Sequence, residues 1–410
     1  CYAAAAKQGD AIAQYNLRDL YYFGKGVEQS YIKSIEYYKL AAEQGDSDAQ
    51  FSLGLMYEDG EGTEQNYTEA YKYYKLAAVQ GHSGAQNNLE LITLEAARKG
   101  NANAQFALGV MFENGEETEQ NYAEAYKYYK LAAKQGNIDA QFNLGLLYSE
   151  GYGVEQNYEK AAEYYAAAAA QGDASAQCNL GILYSDGYGV EQNYEKAAKY
   201  YSAAAAQGNA NAQSNLGILY EDGYGVDQNY EKAAEYYLAA AAQGVDIAQN
   251  NLGFLYYNGY GVEQNYEKAV EYYSAAAAQG DVTAQYNLAN LYYYGKGVEQ
   301  NYTKSIEYYQ LAAQQGNSKA QFTLGYIYKT GEGVAQDYAE AYKYYKLAAE
   351  QGNSDAQINL GILYENGDGV EQNYAKAFEY YLAAAEQGNP IAQYYAGSMY
   401  YYGKGVEQSF

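Results

Sequence analysis

One 36-residue unit recurs along most of this 410-residue chain and constrains its fold more than any other feature. Each copy opens with an Ala-Gln pair, and we take that glutamine as position 0 of its repeat. These glutamines are Gln14, Gln50, Gln86, Gln105, Gln141, Gln177, Gln213, Gln249, Gln285, Gln321, Gln357 and Gln393. Ten of the eleven spacings are 36 residues, and the spacing from Gln86 to Gln105 is 19. A fixed period of about 20–50 residues predicts stacked repeats rather than separate globular domains.

The first half of each repeat has the pattern of an amphipathic helix, as the Gln177 repeat shows. Asp173 is suited to cap its first turn. Apolar residues then recur at positions −1, +3, +6 and +7, namely Ala176, Leu180, Leu183 and Tyr184. This spacing places them on one face of a helix with 3.6 residues per turn. We therefore expect these four positions to form the core side of the first helix.

A glycine loop and a second helix complete the repeat. Gly187 and Gly189 interrupt the first helix and allow positive φ angles in a tight connection. Asn193 can cap a second helix from Tyr194 to about Ala206, and Gly208 ends it. Small residues within the helices permit close approach. The sequence thus predicts an all-α protein in which antiparallel helix hairpins stack into an α/α superhelix.

The short spacing interrupts this regular array. Residues 87–99 pass from first-helix sequence directly into second-helix sequence, without the glycine loop or the Tyr-Tyr pair. We predict a short N-terminal array at residues 1–83, a truncated single-helix repeat at 84–100, and a main array at 101–410. Both ends fall within a repeat, so we expect the array to continue beyond them. The alternative for residues 84–100 is that part of a normal repeat is missing from the sequence.

The complete repeat has the pattern Ala-x-Ala-Gln-x-Asn-Leu-Gly-x-Leu-Tyr-x-x-Gly-x-Gly-Val-x-Gln-Asn-Tyr-x-Lys-Ala-x-x-Tyr-Tyr-x-x-Ala-Ala-x-Gln-Gly. It closely resembles the Sel-one-like repeat (SLR), a relative of the tetratricopeptide repeat, over essentially the whole chain. The resemblance implies a right-handed α/α superhelix that acts as an adaptor or scaffold in protein complexes, both bacterial and eukaryotic. The chain departs from the secreted branch that staples each hairpin with a cysteine pair, and it has tyrosine where many copies carry tryptophan.

Charge restricts the classes of partner. The chain has 51 Asp and Glu against 25 Lys and Arg, a formal net charge of −26. This charge repels phosphate backbones and anionic membranes, so we expect no nucleic-acid partner. No apolar run approaches the roughly 20 residues that span a bilayer. The acidic surface favours solubility or, alternatively, a basic protein partner, and the sequence leaves secreted, periplasmic, endoplasmic-reticulum and cytoplasmic locations open.

Residues for catalysis or metal binding are scarce. The single histidine, His82, lies in a turn between repeats, where we expect it to be solvated. The acidic loops at residues 58–61 and 113–117 lack the ligand order of a calcium loop. Cys1 and Cys178 are far apart in the array and predict neither a disulfide nor a metal site. We therefore predict no enzyme activity, no cofactor and no metal.

Positions +1, +5 and +8 of the first helices lie opposite the core positions, on what we expect to be the concave face. Tetratricopeptide repeats, which this chain resembles, bind ligands with the equivalent positions. The predicted contact residues are Phe142, Leu146, Ile182, Ile218, Phe254, Tyr257, Tyr286, Asn290, Tyr293, Phe322, Tyr326, Ile358 and Ile362. An exposed apolar strip of this kind requires a partner. The alternative is that positions +1 and +5 pack partly against neighbouring first helices.

Two functions follow from these observations. The first is a non-enzymatic scaffold that binds a protein or peptide on the concave face, where acidic rims favour a basic partner. The alternative is a structural spacer or assembly element within a larger repeat protein or a multi-chain assembly.

Overall fold

The computed structural model of the chain describes residues 2–6, 11–115 and 119–409. Every regular element in these ranges is an α-helix, which confirms the predicted all-α array of helix-turn-helix repeats. The helices are α1 Tyr2–Ala6, α2 Ala11–Phe23, α3 Tyr31–Glu43, α4 Ser47–Asp59, α5 Tyr67–Val79, α6 Ser83–Arg98, α7 Ala102–Asn114, α8 Tyr122–Lys134, α9 Ile138–Glu150, α10 Tyr158–Ala170, α11 Ala174–Asp186, α12 Tyr194–Ala206, α13 Ala210–Asp222, α14 Tyr230–Ala241, α15 Asp246–Asn258, α16 Tyr266–Ala278, α17 Val282–Tyr294, α18 Tyr302–Gln314, α19 Ser318–Thr330, α20 Tyr338–Glu350, α21 Ser354–Asn366, α22 Tyr374–Glu386 and α23 Pro390–Tyr402.

The predicted caps set the ends of these helices. At the start of α11, a carboxylate oxygen of Asp173 accepts a hydrogen bond of 2.6 Å from the backbone N–H of Ala176. Gly187 follows the helix with a φ angle of +77°, a conformation that glycine adopts without steric cost. Asn193 caps α12 by accepting from the backbone N–H of Lys196 at 2.8 Å. The sequence predicted each of these roles correctly.

The predicted core positions −1, +3 and +6 of the first helices are buried in most repeats, and position +7 is buried in some repeats and partly buried in others, such as Tyr184. In α9 they hold Ala140, Leu144, Leu147 and Tyr148, each 6% exposed or less. The second helix contributes alanines to the same layer, so the two helices of a hairpin approach closely. These contacts confirm the assignment of positions −1, +3, +6 and +7 to the core.

Glycine at position +4 makes room for a tyrosine at position +24 of the second helix. A Cβ atom on Gly217 would lie 2.6 Å from Cε1 of Tyr237, so the tyrosine ring occupies the space that any other residue would need. The same tyrosine in the Gln141 repeat, Tyr165, is 2% exposed. Its Oη lies 3.3 Å from the Oγ of Ser149. From the sequence we expect tyrosines at fixed repeat positions, such as Tyr148, Tyr158, Tyr164 and Tyr165, to be half-buried with their hydroxyls reaching solvent. The burial of Tyr165 shows that this expectation is wrong for position +24.

In several repeats a buried glutamine at position 0 bonds to the second helix of the preceding repeat and to the end of the second helix of its own repeat. Gln321 donates from Nε2 to the carbonyl of Ala313 at 3.0 Å, at the end of the preceding second helix. Gln351, which follows the second helix of the same repeat, donates to Oε1 of Gln321 at 2.7 Å. Because Gln321 is only 4% exposed, these bonds satisfy a polar side chain within the core. This pair of bonds makes the marker glutamine a structural residue.

The glycine loop of one repeat rests on the second helix of the preceding repeat. A Cβ atom on Gly62 would lie 2.6 Å from the backbone carbon of Tyr31. Helix α6, with 16 residues, takes the place of a hairpin and brings no such loop to α5. Lys99 covers Tyr67 there instead, with its Nζ 3.8 Å from the ring centroid.

The chain divides into two compact units, residues 1–200 and residues 201–410, with the boundary inside α12. Each unit is built from the same capped hairpins. The division that we predict at residues 84–100, between arrays at 1–83 and 101–410, stays a prediction.

Candidate protein-binding surface

We define the first-helix surface as the side chains at positions +1, +5 and +8 of the first helices, which include all the predicted contact residues. Three of these are exposed: Ile182, Phe254 and Tyr326, at 36%, 40% and 45%. Ile358 is buried, at 6%. The remaining predicted residues are partly buried, namely Phe142, Leu146, Ile218, Tyr257, Tyr286, Asn290, Tyr293, Phe322 and Ile362. The prediction thus selected residues with different degrees of access.

Position +1 is both a surface position and a cover for the core. The ring centroid of Phe142 lies 5.9 Å from that of the buried Tyr165, in a tilted arrangement. Phe322 lies in the same way over Tyr345, at 5.8 Å. Such aromatic pairs stabilise the fold beyond the area that they bury. A substitution at +1 therefore affects stability as well as the surface, whereas position +5 is a cleaner probe of binding.

Position +8 supplies an acceptor for the hydroxyl of the buried tyrosine in several repeats. Tyr237 donates to Oε2 of Glu221 at 2.6 Å, and Tyr381 donates to Oε2 of Glu365 at 3.0 Å. Burial raises the pKa of Glu221, and the hydrogen bond from Tyr237 opposes that shift. The pKa of Tyr237 is also raised, first by burial and then by the bond to the carboxylate. These hydrogen bonds connect the buried tyrosines of the second helices to the side chains at position +8.

The loop of the following repeat also contacts position +8. Lys296 donates from Nζ to the hydroxyl of Tyr257 at 2.8 Å, and it lies 4.8 Å from the centre of that ring. Lys404 forms an ion pair of 3.5 Å with Glu365. The lysine comes from position +11 of the next repeat in both pairs. Neighbouring repeats therefore fix the side chains at +8, and those at +5 are left as the more accessible part of the surface.

The side chains with reactive groups have structural surroundings. His82 caps α6, where its Nδ1 accepts from the backbone N–H of Ala85 at 3.1 Å, and its ring stacks on Phe51 at 4.4 Å. It is thus more tightly held than the solvated turn residue that we expected. Cys178 is buried at position +1, and burial raises the pKa of its thiol to about 11. Among the described residues, no group of three His, Cys, Asp or Glu side chains could hold a metal ion.

None of the helices in the described ranges combines the length and the apolar character of a membrane-spanning segment.

These hairpins, with their shared core and repeated caps, define a tandem-repeat solenoid of the all-α class. The family model of the Sel1 repeat matches residues 11–46, 47–82, 102–137, 138–173, 174–209, 210–245, 246–281, 282–317, 318–353, 354–389 and 390–410. The chain belongs to the Sel1 repeat family, which confirms the resemblance to the Sel-one-like repeat. No matched range contains residues 83–101, where α6 lies.

Solved structures of related proteins support the same assignment. A protective antigen of uropathogenic Escherichia coli with an SLR fold is 36% identical, with a TM-score of 0.72, over 100% of this chain and 83% of the antigen. A Sel1 repeat protein from Oxalobacter formigenes is 32% identical, with a TM-score of 0.59, over 75% of this chain and 89% of its own. A search of curated protein sequences returns no match.

Proposed function

We propose that the chain is a non-catalytic scaffold that binds a protein or peptide segment along the first-helix surface. Sel1 repeat proteins are generally non-catalytic scaffolds, and their solenoid typically mediates protein–protein interaction. One observation carries the proposal for this chain. Phe254 and Tyr326, both at position +5 within residues 201–410, are large apolar side chains that remain exposed on first helices. Ile182 is exposed at the same position within residues 1–200. Apolar groups on one face, repeated along an array, are the form that a peptide-binding surface takes.

The surroundings of these residues distinguish them from other exposed apolar side chains. Leu238 and Leu347 on the second helices are 48% and 39% exposed. Glu235 and Lys346 are among the exposed residues beside them, so each leucine is a single apolar group in a charged surface. Position +5 instead has the partly buried positions +1 and +8 on the same helical face. The first-helix surface is therefore the better anchor for a ligand.

A basic partner fits the charges near this surface. Glu221 and Glu365 lie on it at position +8, and Asp222 follows Glu221 in the sequence. The net charge of −26 adds a long-range field that attracts cations. We propose that this field accelerates association, while the apolar residues at +5 provide most of the affinity.

Selection of peptides on the full chain tests the proposal. Short displayed peptides with free carboxyl ends are selected against the 410-residue protein, and the dissociation constant of each is measured by fluorescence anisotropy. The double variant Phe254→Ala, Tyr326→Ala should weaken binding at least roughly tenfold, because exposed aromatic anchors dominate such interfaces. The matched control is Leu238→Ala, Leu347→Ala, which removes two exposed side chains from second helices.

The outcomes separate the candidate functions. Loss of binding in the first variant and retention in the second supports the proposed surface. Loss only in the second-helix variant would place the binding face elsewhere and refute the proposal. Failure of the selection to yield any peptide sensitive to Phe254 or Tyr326 would instead favour a structural spacer or assembly element.

A further inference from the structure

In the Gln321 repeat the hydroxyl of the buried tyrosine lacks the acceptor that several other repeats provide. In the Gln213 and Gln357 repeats the acceptor is a glutamate at position +8, as Glu221 and Glu365 show. Tyr74 likewise donates to Glu58, at 2.6 Å. In the Gln321 repeat, position +8 holds Lys329. A lysine ammonium is a donor only, so it cannot accept the proton of the tyrosine.

Tyr345 is the buried tyrosine of this repeat. Its ring is 0% exposed and packs on Gly325, where a Cβ atom would lie 2.5 Å from Cδ1 of the ring. Its Oη is buried and has no hydrogen-bond partner among the described residues. An unpaired buried hydroxyl costs free energy that a suitable acceptor would recover. The side chain therefore presents a donor at the position where other repeats place a carboxylate.

Lys329 adds a positive charge on the same helix. Its Nζ donates to Oδ1 of Asn359, in the next first helix, at 2.8 Å. The ammonium has three N–H groups, so two remain for other acceptors. Burial lowers the pKa of Lys329, and the nearby carboxylate of Asp368 opposes that shift. A partly buried ammonium interacts more strongly with an anion than one in bulk water does.

We propose that the Tyr345 hydroxyl and the Lys329 ammonium form a carboxylate-binding subsite on the first-helix surface. Its ligand is a carboxylate of a bound peptide, either an Asp or Glu side chain or the free carboxyl end. The peptide supplies in trans the group that Glu221 and Glu365 supply within their own repeats. Because the subsite lies on the peptide-binding surface, this inference rests on the proposed function.

The neighbouring repeat indicates that a carboxylate at this position is accessible. The side chain of Glu365, which accepts from Tyr381 at the equivalent position, is 25% exposed. A ligand carboxylate at the corresponding place in the Gln321 repeat would thus reach solvent, once the flexible Lys329 side chain moves aside to bind it. Tyr326 lies three residues before Lys329 on the same helical face and is exposed, so it provides an apolar contact beside the charge.

The test uses the peptides selected on the full chain. Each peptide is synthesised again with its acidic residues changed to the corresponding amides, and separately with an amidated carboxyl end. We expect one of these changes to weaken binding roughly tenfold or more, since a charge-assisted hydrogen bond is lost. Weakening by the side-chain changes identifies an Asp or Glu as the ligand, and weakening by amidation identifies the free carboxyl end.

Three variants of the chain test the residues themselves. Lys329→Glu supplies the acceptor within the repeat and should weaken binding roughly tenfold. Lys329→Ser, which reproduces the pairing of Ser149 with Tyr165, serves if the glutamate is not tolerated beside Asp368. Tyr345→Phe should weaken the same peptides several-fold. Lys319→Glu is the matched control, because it makes the same charge change at an exposed position of the same helix.

The carboxylate-binding subsite and the proposed scaffold function can be refuted by different results. If peptides that depend on Phe254 and Tyr326 bind equally well with their carboxylates removed, or bind the Lys329 and Tyr345 variants like the natural chain, the subsite is refuted and the scaffold stands. Equal weakening by Lys319→Glu and Lys329→Glu, with no effect of Tyr345→Phe, would reduce the effect to overall charge and also refute it. If no peptide depends on the first-helix surface, both proposals are wrong.

Discussion

The buried tyrosine hydroxyls provide a matched pair of perturbations with opposite expected effects. Tyr237 and Tyr345 are both 0% exposed, and both pack on the glycine at position +4 of their repeats. Tyr237 donates a 2.6 Å hydrogen bond to Glu221, whereas the hydroxyl of Tyr345 is unpaired among the described residues. Replacing each with phenylalanine removes one oxygen atom from almost the same surroundings, and only one of the two changes breaks a hydrogen bond.

The expected changes in the free energy of unfolding follow from the hydrogen-bond partners of the two hydroxyls. Tyr237→Phe should destabilise the fold by about 1.5–3 kcal/mol, because the lost bond is to a charged group. We expect the lower part of that range, since Glu221 keeps partial access to water. Tyr345→Phe should be neutral or stabilise by about 1 kcal/mol, because the penalty of an unpaired buried hydroxyl disappears. The two variants should thus differ by about 2 kcal/mol or more.

Urea unfolding followed by circular dichroism measures these differences, provided that the slope of free energy against urea stays unchanged. Since repeat arrays can unfold in parts, hydrogen exchange with mass spectrometry should localise each effect to its own repeat. Equal destabilisation by the two variants would contradict the hydrogen-bond assignment. Loss of more than about 1 kcal/mol in Tyr345→Phe would show that its hydroxyl has a favourable interaction.

The pH dependence of Tyr237→Phe provides an independent test. Burial raises the pKa of Glu221 in the folded chain, so the folded state binds its proton more readily than the unfolded state does. Loss of the hydrogen bond from Tyr237 should raise this pKa further. The destabilisation should therefore be largest near neutral pH and decrease as the pH falls through the raised pKa of Glu221, above the ordinary glutamate value of about 4.3. A cost that stays constant over this range would argue against the charged hydrogen bond.

Three further predictions concern the core. In thermal unfolding, Gly361→Ala should destabilise the fold by about 1–3 kcal/mol, because its Cβ would overlap Tyr381. Gly397→Ala changes the same repeat position where the surrounding space is open, and it should stabilise the fold by about 1 kcal/mol. Gln321→Ala should cost about 1–3 kcal/mol, because it leaves the carbonyl of the buried Ala313 unpaired and removes the bond from the exposed Gln351, and unchanged urea unfolding would contradict this. Because burial raises the pKa of tyrosines such as Tyr237, their contribution to stability is complete below about pH 10 and is lost above it. Tyrosinate absorbance from the buried tyrosines should therefore appear only together with loss of helicity, as a separate phase from that of the exposed tyrosines. Ionisation of all 59 tyrosines without unfolding would refute the assignment.

Local signals in the sequence predicted most of the repeat correctly. The ends of the helices follow from caps such as Asp173 and from glycines with positive φ, which depend only on nearby residues. The core positions of the first helices follow from their helical period. The burial of the glutamine at position 0 could not be predicted from the helical period of apolar residues. That pattern does not assign a polar side chain to the core, and the hydrogen-bond partners of this glutamine lie outside its own helix.

The burial of the tyrosine at position +24 could not be predicted from nearby residues, because it depends on contacts with a distant part of the repeat. Gly181 and its equivalents indicated close helix approach, yet the side chain that fills the space comes from the second helix, about half a repeat away. Tyr165 was therefore predicted to reach solvent, although it is buried. Ile358 lies at a predicted surface position and is buried as well, because helical period alone does not show how far the neighbouring hairpins cover that face.

A surface position of a repeat array can hold different residues in different repeats for two physical reasons, which are contact with a neighbouring repeat and contact with a ligand. The contacts between repeats help to distinguish the two. Tyr22 donates to Glu61 at 3.0 Å, and Glu365 pairs with Lys404 at 3.5 Å. In both pairs, residue +8 of one repeat meets residue +11 of the next, so these contacts join neighbouring hairpins. Among the described residues, Phe254 at position +5 packs only within its own repeat, edge-to-face on Tyr260 at 6.0 Å, so pairing with a neighbouring repeat does not explain its exposed ring. Variation at position +5 is therefore the better indicator of a ligand, and substitutions at +5 should change binding with less effect on stability than substitutions at +8.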